Sequence, residues 1–313
     1  MATLLDTTIT SGNLTITTDG GNVSLPANGY ITINASASSP PLPSSNNLTV
    51  FARRVGGRMM PAFMGPSGLD SALQPLIARN KIGFWNWIGN ATTTALAFGI
   101  VAPSVTGTVT ARTCSPASLY QSQKRIGYIT QTATPNAVSI RTNAAQFWRG
   151  NVAGGGGFTL IIRAGVCDPS PVPNAMMFIG FSNTTSAISN STNTAALTNV
   201  IGFGQVPSSN NIQIITNSST GAASLVDTGL RCNVGNTTIY DYAIFAAPNS
   251  SVVTLTVTDT QNSVNTFTTT VTDSGSNLPT PNTMLAIQQW RSNNTAAQVV
   301  GLDFVSTYIE TDL

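Results

Sequence analysis

The sequence predicts an all-β protein in which a short N-terminal strand region and a connector precede an antiparallel β-sandwich. Apolar and β-branched residues alternate with polar residues along most of the 313-residue chain, and this period of two is the pattern of strands with one buried face. Glycine, asparagine, aspartate and proline separate the runs at intervals of about 8–12 residues, which is typical of a sandwich or barrel. Helical periodicity is limited to residues 69–79, where Pro75 restricts the expected helix to one or two turns.

The strand pattern divides the chain into three regions. Residues 1–50 combine N-terminal strands with a Pro/Ser-rich connector. Residues 51–135 form a basic region, and residues 136–313 form one sandwich of the jelly-roll type. The clearest alternating patterns lie at 14–17, 31–33, 158–163, 253–258, 267–271 and 302–304.

The side-chain composition excludes most kinds of catalytic site. Charged residues make up 8% of the chain and it contains no histidine, so neither a Ser-His-Asp nor a Cys-His arrangement can form and the most common metal ligand is missing. Paired carboxylates that hydrolyse a glycan remain an alternative, although aspartates beside turn residues usually bond to the backbone there. We therefore expect no enzymatic activity, no cofactor and no metal ion. The aspartates considered for such a pair are Asp227, Asp241, Asp259, Asp273 and Asp303.

The three cysteines do not form a disulfide framework. Cys114, Cys167 and Cys232 are widely spaced, and we expect buried thiols, with one disulfide and one free thiol as the alternative. The first residues contain neither a basic stretch nor an apolar run, so no signal peptide is expected. No apolar stretch approaches the roughly 18 residues that a membrane-spanning helix requires. We expect a product made in a cytoplasm, with no membrane partner.

Positive charge is concentrated in one part of the chain. Residues 51–163 contain eleven Lys/Arg and one Asp, a net charge of +10, whereas residues 164–313 carry −6. The arginines are scattered through apolar sequence without a helix-turn-helix or an RNA-binding aromatic motif, so a nucleic-acid partner is not expected. Because arginine is enriched over lysine in the cores of protein interfaces, the pattern favours ion pairs or carbonyl contacts between subunits.

The run Phe84-Trp85-Asn86-Trp87 is the densest aromatic cluster. Exposed tryptophans can anchor a partner, whereas the flanking isoleucines favour burial in an intersubunit or interdomain core. Together with the arginines, the cluster predicts an interface with further copies of the chain or with other components of an assembly. The candidate interface residues are Arg79, Lys81, Trp85, Trp87, Arg112 and Arg125.

A polar segment at residues 183–196 is the candidate recognition loop. It is rich in serine, asparagine and threonine and lies between two apolar runs. Long loops on a rigid sandwich often bind partners, and these side chains offer adaptable hydrogen bonds. A plain solvated connection is the alternative. The candidate receptor-contacting residues are Asn183, Thr184, Thr185, Ser189, Asn190 and Asn193.

Three segments resemble one family of viral structural proteins. Gly65-Pro66-Ser67-Gly68-Leu69-Asp70, the run from Leu73 to Gly83, and Gly89-Asn90-Ala91-Thr92-Thr93 are similar to tail fibre or receptor-binding proteins of tailed bacteriophages. The resemblance extends over about residues 50–313.

The resemblance implies a virion protein: a fibre-like, homotrimeric appendage with a jelly-roll head that binds a host surface glycan or receptor during adsorption. It implies no catalytic residues. The basic region would attach the protein to the tail, neck or capsid, and the sandwich would face outward. The N-terminal part is shorter than the shaft of many such fibres, which leaves a capsid or neck decoration protein without a receptor role as an alternative. A glycan depolymerase is a further alternative.

Overall fold

The computed structural model describes residues 31–34, 40–44, 47–55, 58–64, 80–91, 96–152, 155–232 and 238–312. The chain forms two compact units, Met1–Ala72 and Leu73–Leu313. In the first unit, strands β1 (Thr49–Val55) and β2 (Arg58–Met64) pair in an antiparallel hairpin. Residues 31–34 are not in a strand, contrary to the alternating pattern there. The strand predicted at 14–17 and the helix predicted at 69–79 lie outside the described residues.

The second unit contains the remaining described strands and little helix. A one-turn helix, Leu119–Ser122, begins after Ser118, whose hydroxyl accepts a hydrogen bond from the Gln121 amide. The strands are β3 (Asn80–Asn86), β4 (Leu96–Phe98), β5 (Ser104–Thr106), β6 (Thr108–Ala111), β7 (Ile126–Ile129), β8 (Ala137–Arg141), β9 (Phe158–Val166), β10 (Met176–Ser182), β11 (Val200–Gln205), β12 (Asn211–Asn217), β13 (Ser224–Arg231), β14 (Tyr240–Ala246), β15 (Val252–Asp259), β16 (Thr266–Thr272), β17 (Ala286–Ser292) and β18 (Gly301–Asp312).

These strands form two antiparallel sheets. The seven-stranded sheet has the order β13-β12-β11-β10-β17-β8-β5. The nine-stranded sheet has the order β16-β15-β14-β9-β18-β3-β4, with β7 also beside β18 and β6 beside β7. Every pair of neighbouring strands in the described residues is antiparallel, so the prediction of an all-β antiparallel sandwich is confirmed.

The sandwich begins earlier in the chain than residue 136. β3 and β7 both pair with β18, and β5 pairs with β8. Strands from the predicted basic region therefore complete both sheets, because the long last strand β18 needs hydrogen-bonding neighbours along its whole length. The separation of the two compact units falls at Ala72 and Leu73, and residues 80–135 belong to the sandwich.

The main core lies between the sheets. Alternate residues of β9 and β15, such as Leu160, Ile162, Val253 and Leu255, are fully buried there. Their polar neighbours along the strand face outward, as the period of two requires.

The seven-stranded sheet is buried on its second face as well. Phe178 and Trp290 on that face are covered by Ile188 and Leu197 from the segment between β10 and β11. As a result, every residue of β10, β11 and β17 is buried. This covering segment is the same stretch that the sequence suggested as a recognition loop.

A buried ion pair joins the sheets. Arg291 of β17 donates to Asp168 from Nε at 3.1 Å and also from Nη2, and its Nη1 donates to Gln205 Oε1 at 2.9 Å. The amide of Gly301 donates to the same carboxylate at 2.8 Å. The side chains of Arg291 and Asp168 are 1% and 0% exposed, so the two charges depend on each other for solvation.

Candidate functional site

The two tryptophans assigned to an interface lie in the core of the sandwich. Trp85 is 0% exposed, and its indole Nε1 donates to the carbonyl of Val101 at 2.9 Å. Trp87 packs against Tyr128 and Phe304, with ring centroids 6.2 and 6.4 Å apart. Their placement on a partner-facing surface is therefore wrong, because neighbouring strands and the loop at Val101 enclose both rings.

The two described arginines of the predicted interface pair inside the chain. Arg112 and Arg125 donate from Nε to the two carboxylate oxygens of Asp303, at 2.8 and 3.1 Å. The hydroxyl of Tyr120 donates to the same carboxylate at 2.5 Å. Asp303 is 1% exposed, so these contacts fix β18 against the helix segment. Ion pairing was predicted correctly, but it is intramolecular. Arg79 and the side chain of Lys81 lie outside the described residues.

The predicted recognition loop is anchored to the seven-stranded sheet. The amide of Gln288 donates to the carbonyls of Thr184 and Ser186, at 2.8 and 3.0 Å. The buried hydroxyl of Thr194 donates to the carbonyl of Gln205 at 2.7 Å. Arg141 Nε donates to the carbonyl of Thr185 at 3.3 Å. The segment is thus a structural cover for the sheet, and neither of the two sequence interpretations describes it fully.

Half of the predicted receptor-contacting residues remain accessible on this cover. Asn183, Ser189 and Asn193 are exposed, whereas Thr184, Thr185 and Asn190 are half-buried. The Asn193 side chain accepts a hydrogen bond from the Ala195 amide at 3.0 Å, and the Asn190 amide donates to the carbonyl of Pro135 at 3.2 Å. Two of the six side chains are therefore already engaged in the fold.

The outer face of the nine-stranded sheet exposes a row of aromatic and apolar side chains. The strand register places Phe98 of β4 opposite Phe84 of β3, Phe84 opposite Tyr308 of β18, and Tyr308 opposite Ile161 of β9. The rings of Phe84 and Phe98 are stacked, with centroids 5.4 Å apart. Phe98 is 56% exposed. A contiguous exposed apolar row of this kind usually marks a binding surface.

A polar row runs beside it, two residues along each strand. Asn86 of β3 lies opposite Ser306 of β18, and Ser306 lies opposite Arg163 of β9. Arg163 in turn lies opposite Asp241 of β14. Arg163 donates from Nε and Nη2 to the two oxygens of Asp241, at 2.7 and 2.6 Å, and these hydrogen bonds raise the pKa of the guanidinium.

The two rows line an open cleft of about 390 Å³, which is within the range of about 300–1,000 Å³ that is common for small-molecule sites. Gln123 and Lys124 form the wall that follows the one-turn helix. Gln123 Nε2 donates to the Leu119 carbonyl at 3.0 Å, and its Oε1 accepts no hydrogen bond from the described residues. The remaining lining residues are Phe84, Trp85, Asn86, Arg163, Val305, Ser306, Thr307 and Tyr308.

The wall of the cleft carries positive charge. Lys124 is exposed, and no ion pair joins it to a described acid. The Tyr308 hydroxyl donates to Glu310 at 2.9 Å. Partial burial, together with this hydrogen bond, raises the pKa of Tyr308, so the phenol keeps its proton and remains a donor at neutral pH.

These cleft residues were not predicted from the sequence, although the alternation within one strand indicated two of them. Within the aromatic run, the period of two places Trp85 and Trp87 on one face and Phe84 and Asn86 on the other. The two tryptophans were predicted to form the interface, whereas Phe84 and Asn86 form the exposed face. Tyr308, Ser306 and Arg163 come from β18 and β9, and only the sheet topology brings them beside Phe84.

The five aspartates considered for glycan hydrolysis all hold structural contacts. Three of them pair with arginines, and two accept hydrogen bonds from nearby amides. The partners are Arg163 for Asp241, Arg149 for Asp273, Arg112 and Arg125 for Asp303, Asn211 and Gly229 for Asp227, and Gln261 for Asp259.

The cysteines are free thiols, as the first interpretation of the sequence expected. Cys167 and Cys232 are buried, and Cys114 is half-buried. Within the described ranges, no group of three or more thiols and carboxylates is placed to hold a metal ion. In that same part of the chain, no helix has the length and apolarity needed to cross a bilayer.

Comparison with known proteins supports the fold and assigns no function. No family model and no curated protein matches the chain. A protein of unknown function from Shewanella oneidensis aligns over 79% of this chain and 96% of its own length, with 10% identity and a TM-score of 0.50. Peanut lectin, solved with a nine-residue peptide, aligns over 74% and 97%, with 12% identity and a TM-score of 0.47. Lectin II from Ulex europaeus aligns over 74% and 98%, with 12% identity and a TM-score of 0.48.

Proposed function

We propose that this chain is a non-catalytic attachment protein of a tailed-phage particle and that it binds a host surface glycan in the cleft of the nine-stranded sheet. The observation that carries the glycan proposal is the composition of that cleft. Aromatic rings, side-chain amides, the Arg163 guanidinium and hydroxyl groups line one open depression of about 390 Å³.

The chemistry of a sugar ring matches this arrangement. A pyranose has an apolar C–H face and a rim of hydroxyl groups that both donate and accept hydrogen bonds. The rings of Phe84 and Tyr308 offer flat apolar surface for the first. Asn86, Ser306 and the Arg163 guanidinium offer hydrogen-bond donors and acceptors for the second.

One polar atom in the cleft wall is incomplete without a ligand or water. Gln123 Oε1 has no hydrogen-bond partner among the described residues, and buried polar atoms are normally satisfied. The atom is buried, so a sugar hydroxyl would supply the missing donor only after the Gln123 side chain rotates into the cleft. In the loop at 183–196, by contrast, the Asn190 and Asn193 side chains are already engaged in the fold.

The virion part of the proposal is supported by the resemblance of residues 65–93 to phage tail fibre proteins. A surface with few charges and many Thr and Asn side chains suits an extracellular particle that must bind through many weak polar contacts. Several copies on one particle would convert a weak site into firm attachment, because the second contact becomes intramolecular.

Glycan binding is tested with the purified chain on a glycan array, followed by titration of the strongest polysaccharide. We expect Tyr308→Ala and Asn86→Ala to weaken binding about tenfold, which corresponds to about 1.4 kcal/mol. Ser189→Ala is the matched control, because Ser189 is exposed on the cover of the opposite sheet. Loss of binding in the control with retention in the cleft variants would transfer the site to the loop. Absence of binding to any glycan would contradict the proposal.

The virion role is tested on particles. Antibodies against the chain should label the purified phage, and the free protein should compete with phage adsorption to host cells. Labelling of the head without competition would instead support the alternative of a decoration protein. Release of reducing sugar ends from the bound polysaccharide would show a depolymerase.

A further inference from the structure

The edge strand of the nine-stranded sheet is unprotected on its outer side. β16 pairs with β15 on one side, and among the described strands none pairs with its other side. Such an edge presents a row of free N–H and C=O groups that can pair with another chain. Its seven residues, Thr266–Thr272, form a complete and regular register with β15.

The other described sheet ends carry the features that normally prevent such pairing. β4 and β5 have three residues each, and β6 has four. β13 contains Asp227, Gly229 and an irregular register opposite Asn211–Gln213. By contrast, β16 reads Thr-Phe-Thr-Thr-Thr-Val-Thr, without charge, proline, glycine or bulge. The strand itself therefore carries none of the sequence features that keep other chains from pairing with an edge.

The hydrogen bonds at the two ends of β16 show which groups point outward. The Asp259 amide donates to the Asn265 carbonyl at 3.0 Å, and the Asp273 amide donates to the Ser251 carbonyl at 2.8 Å. Because bonded and non-bonded pairs alternate between these two points, Thr269 directs its N–H and C=O to β15. Thr268 and Thr270 therefore direct theirs to the free edge. The close approach of the Thr256 and Thr268 hydroxyls, 3.0 Å apart, fits a non-bonded pair.

We propose that β16 pairs antiparallel with β16 of a second copy of this chain, around a two-fold axis at Thr269. The pattern of the strand is the same in both directions from that residue, which an isologous interface requires. Thr268 of one copy would exchange main-chain hydrogen bonds with Thr270 of the other. The pairing joins the two nine-stranded sheets into one and is independent of the glycan proposal.

Both faces of the joined sheet are complementary in this register. On the inner face, Phe267 of one copy lies opposite Val271 of the other, and both residues already pack partly against the core. On the outer face, Thr266, Thr268, Thr270 and Thr272 continue the threonine row of β15 across the seam. No like charges meet, because the strand has none.

Sedimentation of the full chain at several concentrations tests this pairing. The expected mass is twice 32.5 kDa. Thr270→Pro removes an outward N–H and keeps the bonds to β15, since proline is tolerated at an edge position of this kind. Because the variant is present in both copies, it removes two hydrogen bonds across the seam, and we expect it to raise the dimer dissociation constant roughly tenfold or more. Thr256→Lys is the control, because it adds charge to the same face one strand away from the seam, and its dimer should persist.

A second variant distinguishes loss of the dimer from misfolding of Thr270→Pro. Thr268→Lys places two like charges across the seam, and it should also give monomers with an unchanged circular dichroism spectrum. A monomeric wild type would overturn the proposal. A dimer or trimer whose mass is unchanged in both Thr270→Pro and Thr268→Lys would also overturn it. An unchanged trimer would favour the homotrimer that the sequence resemblance implies.

Discussion

The buried pair Arg291–Asp168 gives the sharpest stability prediction for the sandwich. Asp168→Asn leaves a guanidinium that is 1% exposed with one neutral acceptor at Gln205 and no counter-charge. Arg291→Met leaves a buried carboxylate that keeps the Gly301 amide as a donor and has lost its counter-charge. Removal of one member of a buried ion pair destabilises a protein by about 3–5 kcal/mol, which is about a fifth or more of a total stability of about 5–15 kcal/mol.

The double variant Asp168→Leu/Arg291→Met should behave differently. It removes both charges together, so the burial of an unpaired charge no longer opposes folding. We expect it to cost less than either single substitution, and clearly less than the two added together. At about 2–4 °C per kcal/mol for a unit of this size, each single variant should lower the melting temperature by roughly 6–20 °C.

Urea unfolding followed by tryptophan fluorescence measures these effects. All four tryptophans of the chain lie after residue 73, so their emission reports the second unit. Trp290 is adjacent to Arg291 in β17 and is fully buried. Single variants that lose less than about 1 kcal/mol, or a double variant equal to the sum of the singles, would refute the argument that these two charges solvate each other.

Two further predictions concern titratable groups. Burial raises the pKa of Cys167 strongly and that of Cys232 to about 12. A thiol reagent at about pH 8 should therefore modify Cys114 in the folded protein and all three thiols after unfolding. Fast modification of all three thiols in the native state would contradict the burial of Cys167 and Cys232. Burial also raises the pKa of Tyr242 well above its ordinary 10.0, so the unfolded chain releases these protons at a lower pH than the folded one. The free energy of unfolding therefore keeps its full value below about pH 9 and decreases as the pH rises above it. A melting temperature that stays constant up to about pH 11 would show that these groups are not buried.

The alternating strands were predictable because their outer faces are solvated. β15, β16 and β9 contain the patterns read at 253–258, 267–271 and 158–163. The strands of the seven-stranded sheet were harder to predict, because both of their faces are buried and apolar residues do not alternate with polar ones. β10 reads Met-Met-Phe-Ile-Gly-Phe-Ser, and only the cover formed by residues 183–199 explains its outer apolar side chains.

The candidate site was not predictable from local sequence. Its side chains come from β3, β9, β18 and the segment after the one-turn helix, which are far apart in the chain. Their proximity depends on the position of β18 between β3 and β9, and no periodicity encodes that position. The basic residues were recognised as ion-pairing groups, but their partners were sought on another subunit. The buried carboxylate of Asp303 meets two of them within the chain, because a charge in the core needs compensation at close range.

The central position of β18 has a consequence for how the protein is made. On one side β18 pairs with β9, and on the other it pairs with β7 along residues 301–304 and with β3 along residues 306–312. During translation the two halves of the nine-stranded sheet have no shared neighbour until this last strand has left the ribosome. Closure of the sheet therefore waits for β18 and is slow, since contacts between distant parts of the chain must form late. The nascent chain meanwhile exposes the inner edges of β3 and β9, and a ribosome that stalls before residue 301 would release an aggregation-prone product.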